Sequence, residues 1–174
     1  MRKLALVACL AFALPGCGSS TTTNTPVTTT TTTLPCTQAI LFQGGGAHQS
    51  RILVRVPFTI ATPGRLDIIF DWTIAANLFG IYVVSAGTCS LDQFNAGSCN
   101  FLLRSETLTK PRKVSVPNMT TGNYEMLVAN FGSQDDSVTT QIIFSSSACP
   151  PLATAPLAGE RWVAPPRLKA TSRY

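Results

Sequence analysis

The chain has 174 residues, 13 Lys and Arg against 8 Asp and Glu, 12% charged and 45% hydrophobic residues, a mean hydropathy of +0.23 and six cysteines. That is room for one ordinary domain. The low charge excludes a wholly disordered chain, and the lack of an apolar run of about 18 residues beyond the N-terminus excludes a multi-span helical membrane protein. The net charge of +5 raises nucleic acid as a partner, but the charge is unevenly placed. Between Cys36 and Pro150 seven bases (Arg51, Arg55, Arg65, Arg104, Lys110, Arg112, Lys113) balance seven acids (Asp67, Asp71, Asp92, Glu106, Glu125, Asp135, Asp136). The basic excess belongs to the two ends, so no nucleic-acid partner is expected.

Met1-Arg2-Lys3, the apolar run Leu4 to Leu14 and Pro15-Gly16-Cys17 have the shape of a secretory signal. Its 11 apolar residues would span about 16 Å as a helix, too little for a hydrocarbon core of about 30 Å. Leu14-Pro15-Gly16-Cys17 resembles the bacterial lipobox, which implies cleavage after Gly16 and a lipid anchor on Cys17. Gly18 and Ser19 lack the aspartate that retains some lipoproteins at an inner membrane, so the resemblance favours an outer membrane if the source has two. From Ser19 to Pro35, in the linker 17–35, the chain is nearly all Ser, Thr and Pro, with an unbroken run from Thr28 to Thr33. Such a tract builds no core and reads as a stalk.

Cys36, Cys89, Cys99 and Cys149 remain, an even number in an exported chain, and disulfides are the expectation. Four cysteines allow three pairings. Cys89 with Cys99 and Cys36 with Cys149 is the choice, because the first pair brackets a short loop and the second brackets the domain. The spacings do not suit zinc.

Between the outer cysteines, β-branched and aromatic runs alternate with turn signals at intervals too short for helices. Predicted strands are Ile40 to Phe42, Ile52 to Ile60, Leu66 to Ile74, Phe79 to Val84, Phe101 to Arg104, Arg112 to Val116, Tyr124 to Ala129 and Val138 to Phe144. Breaks are expected at Gly44-Gly45-Gly46, Thr62-Pro63-Gly64, Ala86-Gly87, Pro117-Asn118 and Thr121-Gly122-Asn123. Leu66, Ile68, Phe70 and Trp72 share one face, with Asp67 and Asp71 on the other. The fold class is therefore all-β, a two-sheet antiparallel β-sandwich of about eight strands, over residues 36–150.

Gly64 to Trp72, Gly80 to Val84 and Thr121 to Val128 resemble the bacterial pre-peptidase C-terminal domain, a jelly-roll-like sandwich found beside secreted proteases. Small bacterial lipoproteins show a closer resemblance, carried by the Asp71-Trp72 strand, a Cys-x-x-x-x-Phe-Asn-x-x-x-Cys loop (Cys89 to Cys99) and the turn Asn130-Phe131-Gly132. The resemblance covers roughly Cys36 to Ser147, and it implies fold more than activity. Some members bind calcium through an acidic segment, which here reads Asn77-Leu78-Phe79-Gly80-Ile81-Tyr82 with the acids gone. Asp71, Asp135 and Asp136 remain weak calcium candidates, and no metal or cofactor is expected.

Catalytic chemistry is hard to find. His48 with Ser50 and an aspartate is weighed against a solvated loop histidine, and the latter is the expectation. Asp67 and Asp71 are expected to face solvent or to meet Arg65 and Arg55 across strands. The triple glycine lacks a following lysine or helix and reads as a turn. The Pro/Ala-rich basic tail, residues 151–174, is expected to be disordered, with Arg161-Trp162 and Arg167 to Arg173 as a weak dock for an acidic partner or envelope polymer. The sequence thus points to a non-catalytic, lipid-anchored module of the bacterial cell envelope, with a binding or structural role toward a polymer, glycan or protein. A carbohydrate-binding or calcium-dependent adhesion module is the alternative, and an envelope hydrolase stands third.

Overall fold

The computed structural model describes residues 35–146, 148–150 and 166–173. The signal segment 1–16, Cys17, the stalk to residue 34 and the pair Arg161-Trp162 lie outside the described residues. Among the described residues nine strands and one short helix follow one another: β1 (Gln38–His48), β2 (Ile52–Ile60), β3 (Gly64–Trp72), β4 (Phe79–Ser85), α1 (Leu91–Asn95), β5 (Leu103–Thr107), β6 (Arg112–Met119), β7 (Gly122–Asn130), β8 (Asp136–Ser145) and β9 (Ala170–Arg173).

One sheet runs β1-β8-β3-β6 and the other β5-β4-β7-β2-β9. The first eight strands are thus ordered β1-β8-β3-β6 against β2-β7-β4-β5, the two Greek keys of a jelly roll. All pairs are antiparallel except β2 with β9. The inward faces supply the period-two set expected of a sandwich. Val54, Val56, Phe58 and Ile60 from β2, Leu66, Ile68, Phe70 and Trp72 from β3, and Tyr124, Met126 and Val128 from β7 join one buried cluster. Cys36 is bonded to Cys149 and Cys89 to Cys99, the pairing chosen from the sequence.

Three expected breaks or tails are instead built into the sheets. Gly44-Gly45-Gly46 lies inside edge strand β1, paired to Thr140, Thr139 and Val138. A Cβ on Gly45 would stand 2.5 Å from the Val138 carbonyl oxygen, so glycine here permits close backbone approach rather than a turn. Pro117-Asn118 is a bulge within edge strand β6. Gly64 and Leu66 oppose Met119 and Val116, leaving one extra residue on β6, and Asn118 takes the left-handed backbone at φ 55°. Of the tail expected to be disordered, residues 166–173 are described and lie on the fold, where β9 pairs in parallel with β2 from Ile52↔Ala170 to Arg55↔Arg173.

A second buried cluster lies on the outer face of the five-stranded sheet. It joins Leu53, Tyr82, Val84, Leu127, Ala129 and Phe131 to Cys89, Phe94 and Leu168. The disulfide loop and the returning C-terminal segment cover this face. That is why β4 is buried from Phe79 to Val84 and β7 from Tyr124 to Asn130 without alternation.

Candidate functional site

The ionisable residues singled out in the sequence are absorbed by the fold. His48 ends β1 fully buried, its Nδ1 3.2 Å from the Gln49 carbonyl and its Nε2 3.2 Å from that of Val128, edge-on to Phe79. It is not a solvated loop histidine, and its ring contacts the two carbonyls rather than Ser50. Burial pushes its pKa below the usual 6.5, against the opposing pull of the two carbonyls and of the Asp136 charge. Ser50 instead gives its backbone N–H to Asp135 at 2.8 Å.

Asp67 is fully buried rather than facing solvent. Arg65 bonds it in two places at 2.9 and 3.0 Å, and Ser115 and Ser145 donate to it at 2.5 and 3.2 Å. Arg65 also reaches the carbonyls of Cys149 and Pro150, which close over that end of the sheet. The partner of Arg55 is Glu125, at 2.6 Å, not an aspartate of β3.

The three calcium candidates serve as loop ties. Asp136 accepts from the backbone N–H groups of Thr73, Ile74 and Ser137, the Thr73 hydroxyl and the Asn77 amide. Burial alone would raise its pKa, but these donors hold it below 3.8. Asp71 accepts from the Trp72 N–H and stands 3.6 Å from the Lys110 ammonium. Among the described residues no three His, Cys, Asp or Glu side chains group as metal ligands.

A pocket of about 170 Å³ opens instead on the outer face of the five-stranded sheet. Its floor and walls are Tyr82 from β4, Phe94 from α1, Phe101, and Phe131 just after β7. Tyr82 stands edge-on to Phe94 at 4.8 Å between centroids and tilted to Phe101 at 5.0 Å, while Phe94 and Phe131 stack at 6.5 Å. These are the offset and edge geometries that aromatic rings favour. Arg104, Glu106, Asn95 and Arg167 supply the polar lining.

Local sequence explains each position. Gly80 faces outward two residues before Tyr82, and a Cβ there would stand 2.6 Å from the Tyr82 ring and 2.8 Å from Phe131. Glycine lets the tyrosine lie along the strand until its hydroxyl donates to Glu106 at 2.5 Å. Burial, then this bond, raise the Tyr82 pKa, so the phenol stays protonated. Arg104 bonds the same Glu106 oxygen at 2.9 and 3.0 Å and lies 6.0 Å above the Phe101 ring. Glu106 is thereby neutralised.

α1 was missed in the sequence, although its signals are present. Ser90 and Gln93 form a capping box. Gly97 at φ 68° ends the helix, with Ser98 N–H bonded to Gln93 O and Gly97 N–H to Phe94 O in a Schellman arrangement. The helix aims Phe94 into the pocket and Asn95 at the returning chain. Asn95 donates to the Leu168 carbonyl at 3.1 Å and accepts from its N–H at 2.9 Å. Asn130 accepts the Gly132 N–H at 2.9 Å and so turns Phe131 under Phe94. Of the residues that carry the lipoprotein resemblance, Phe94, Asn95 and Phe131 line this pocket, whereas Asp71-Trp72 lies on β3 of the other sheet.

The fold and site define a disulfide-framed jelly-roll sandwich with an aromatic pocket on the outside of one sheet. No family model matches the chain, and no curated protein matches it. Among solved structures it is similar to PliG of Aeromonas hydrophila, a periplasmic lysozyme inhibitor of g-type lysozyme. That similarity has 10% identity and a TM-score of 0.44, and covers 63% of this chain and 86% of that one. It is also similar to the Yersinia pseudotuberculosis-derived mitogen YPM, at 11% identity and a TM-score of 0.42, over 62% of this chain and 84% of that one.

Proposed function

We propose that this chain is exported, anchored through a lipid on Cys17, and works as a non-catalytic binding module of the cell envelope. One observation carries the binding half: an aromatic pocket built on strands and a disulfide-pinned helix, lined among the described residues by no nucleophile with an adjacent base. Of the groups a hydrolase would draw on, His48 and Asp67 are spent on backbone and side-chain bonds, the Ser50 N–H is given to Asp135, and the half-exposed Asp71 accepts the Trp72 N–H beside Lys110. The two disulfides suit an oxidising, extracytoplasmic compartment. Kinship with the pre-peptidase C-terminal domain belongs to the same proposal, since it too implies a sandwich without chemistry of its own.

Intact mass of the membrane-extracted protein tests the address. An acylated Cys17 at the new N-terminus is expected; an unmodified, soluble product would remove the anchor. A fragment screen followed by amide chemical shifts tests the binding half. Shifts gathered around Tyr82, Phe94, Phe101 and Arg167 are expected, and hits scattered over the other sheet would end the assignment.

A further inference from the structure

We propose that the outer-face pocket recognises one aromatic ring carrying an anionic group, and that the docked C-terminal segment supplies the charge that reads the anion. The proposal rests on the binding-module reading and names its ligand class. A cavity of about 170 Å³ has the capacity for a single six-membered ring, since cavities of roughly 150 Å³ lined by apolar side chains take up benzene. Four rings line it; Tyr82, Phe94 and Phe131 are buried against one another, so the ring surface open to a planar guest is chiefly that of the half-buried Phe101.

A sugar's hydroxyls would compete for groups already in use, since Asn95 bonds Leu168 from both its nitrogen and its oxygen and the Tyr82 hydroxyl donates to Glu106. The sign of the guest follows from the lining charges. Among the described lining residues Arg104 and Glu106 cancel, and the exposed Arg167 leaves a net positive charge. Arg167 stands beside Leu168, whose backbone is clamped by Asn95 and whose side chain is buried in the second cluster. Lys169 N–H then bonds the Arg51 carbonyl at 2.8 Å and leads into β9. The guanidinium is therefore hung from a fixed backbone, and a guest that engages it also holds the segment down.

Two sources share this chemistry: a free aryl carboxylate, and a peptide ending in an aromatic residue. Calorimetry with phenylacetate, its neutral isostere 2-phenylethanol, and the peptide Gly-Gly-Phe with a free or an amidated C-terminus separates them. Phenylacetate or the free-acid peptide should bind about tenfold more tightly than its uncharged counterpart, whichever of the two is the stronger marking the source. Arg167→Gln should abolish that difference. Binding should also slow amide exchange from Lys169 to Arg173. Equal affinity for charged and neutral probes would overturn the anionic part alone. If no ring-bearing probe bound, or all bound equally to a Phe101→Ala variant, the pocket reading would fall with it.

Discussion

Asp136 and His48 show how single ionisable residues are spent on structure. Replacing Asp136 with alanine strands the N–H groups of Thr73, Ile74 and Ser137 and the Asn77 amide, and should cost about 3 kcal/mol in urea unfolding. The two residues also set the acid response. His48 has a folded-state pKa below 6.5, so the unfolded chain takes up a proton that the folded chain refuses. Its contribution is full above 6.5, is lost as pH falls from there to the depressed folded value, and is flat beneath. Asp136, held below 3.8, stabilises above that pH and loses its share as pH falls through its own folded value. The denaturation midpoint should therefore decline in two stages on acidification. The sequence has one histidine, so His48→Gln should flatten the first stage and leave the second, as a pH series of urea melts would show.

The outer-face elements depend on one another as the inner core does not. Gly80→Ala should cost about 1–3 kcal/mol with an unchanged m-value, because the added methyl meets the Tyr82 and Phe131 rings while the inner core is untouched. Removing the short bridge with Cys89→Ser and Cys99→Ser should cost about 3 kcal/mol. Amide exchange should rise first at β9, which leans on α1 through the Asn95 clamp on Leu168. These elements also mark where the sequence stopped being legible. The inward stripe of β3 and the breaks after β2 and before β7 could be read by alternation, because one face of each strand meets the core. Ile81 to Val84 and Met126 to Ala129 do not alternate, and that unbroken apolar run was itself the sign of a second covered face. The triple glycine misled because backbone crowding and turning ask for the same residue. β9 has four residues and no pattern of its own, so only its partner β2 defines it.

At the scale of the molecule, the long disulfide closes the jelly roll where the proposed tether enters it. β1 is an edge strand whose pairing along its length is with β8, and its first residue Gln38 lies opposite Ser145 near the end of β8. A pull arriving from the stalk would open that ladder one residue pair at a time, beginning at Gln38, where Ile40 is already 57% exposed. The bond from Cys36 to Cys149 spans the same end, with its Cα atoms 4.6 Å apart, and would pass such a load beyond the ladder to the segment that Arg65 ties to β3. Its loss through Cys36→Ser and Cys149→Ser should cost up to about 5 kcal/mol on the loop-entropy scale. The effect should be local before it is global. Limited proteolysis with mass mapping should show cuts between residues 36 and 48 many times faster than in the bridged protein, while the Cys89–Cys99 loop stays intact. Equal cleavage of the two forms would mean that the ladder of β1 holds without its clasp, and the bridge would then have no part in bearing a tether.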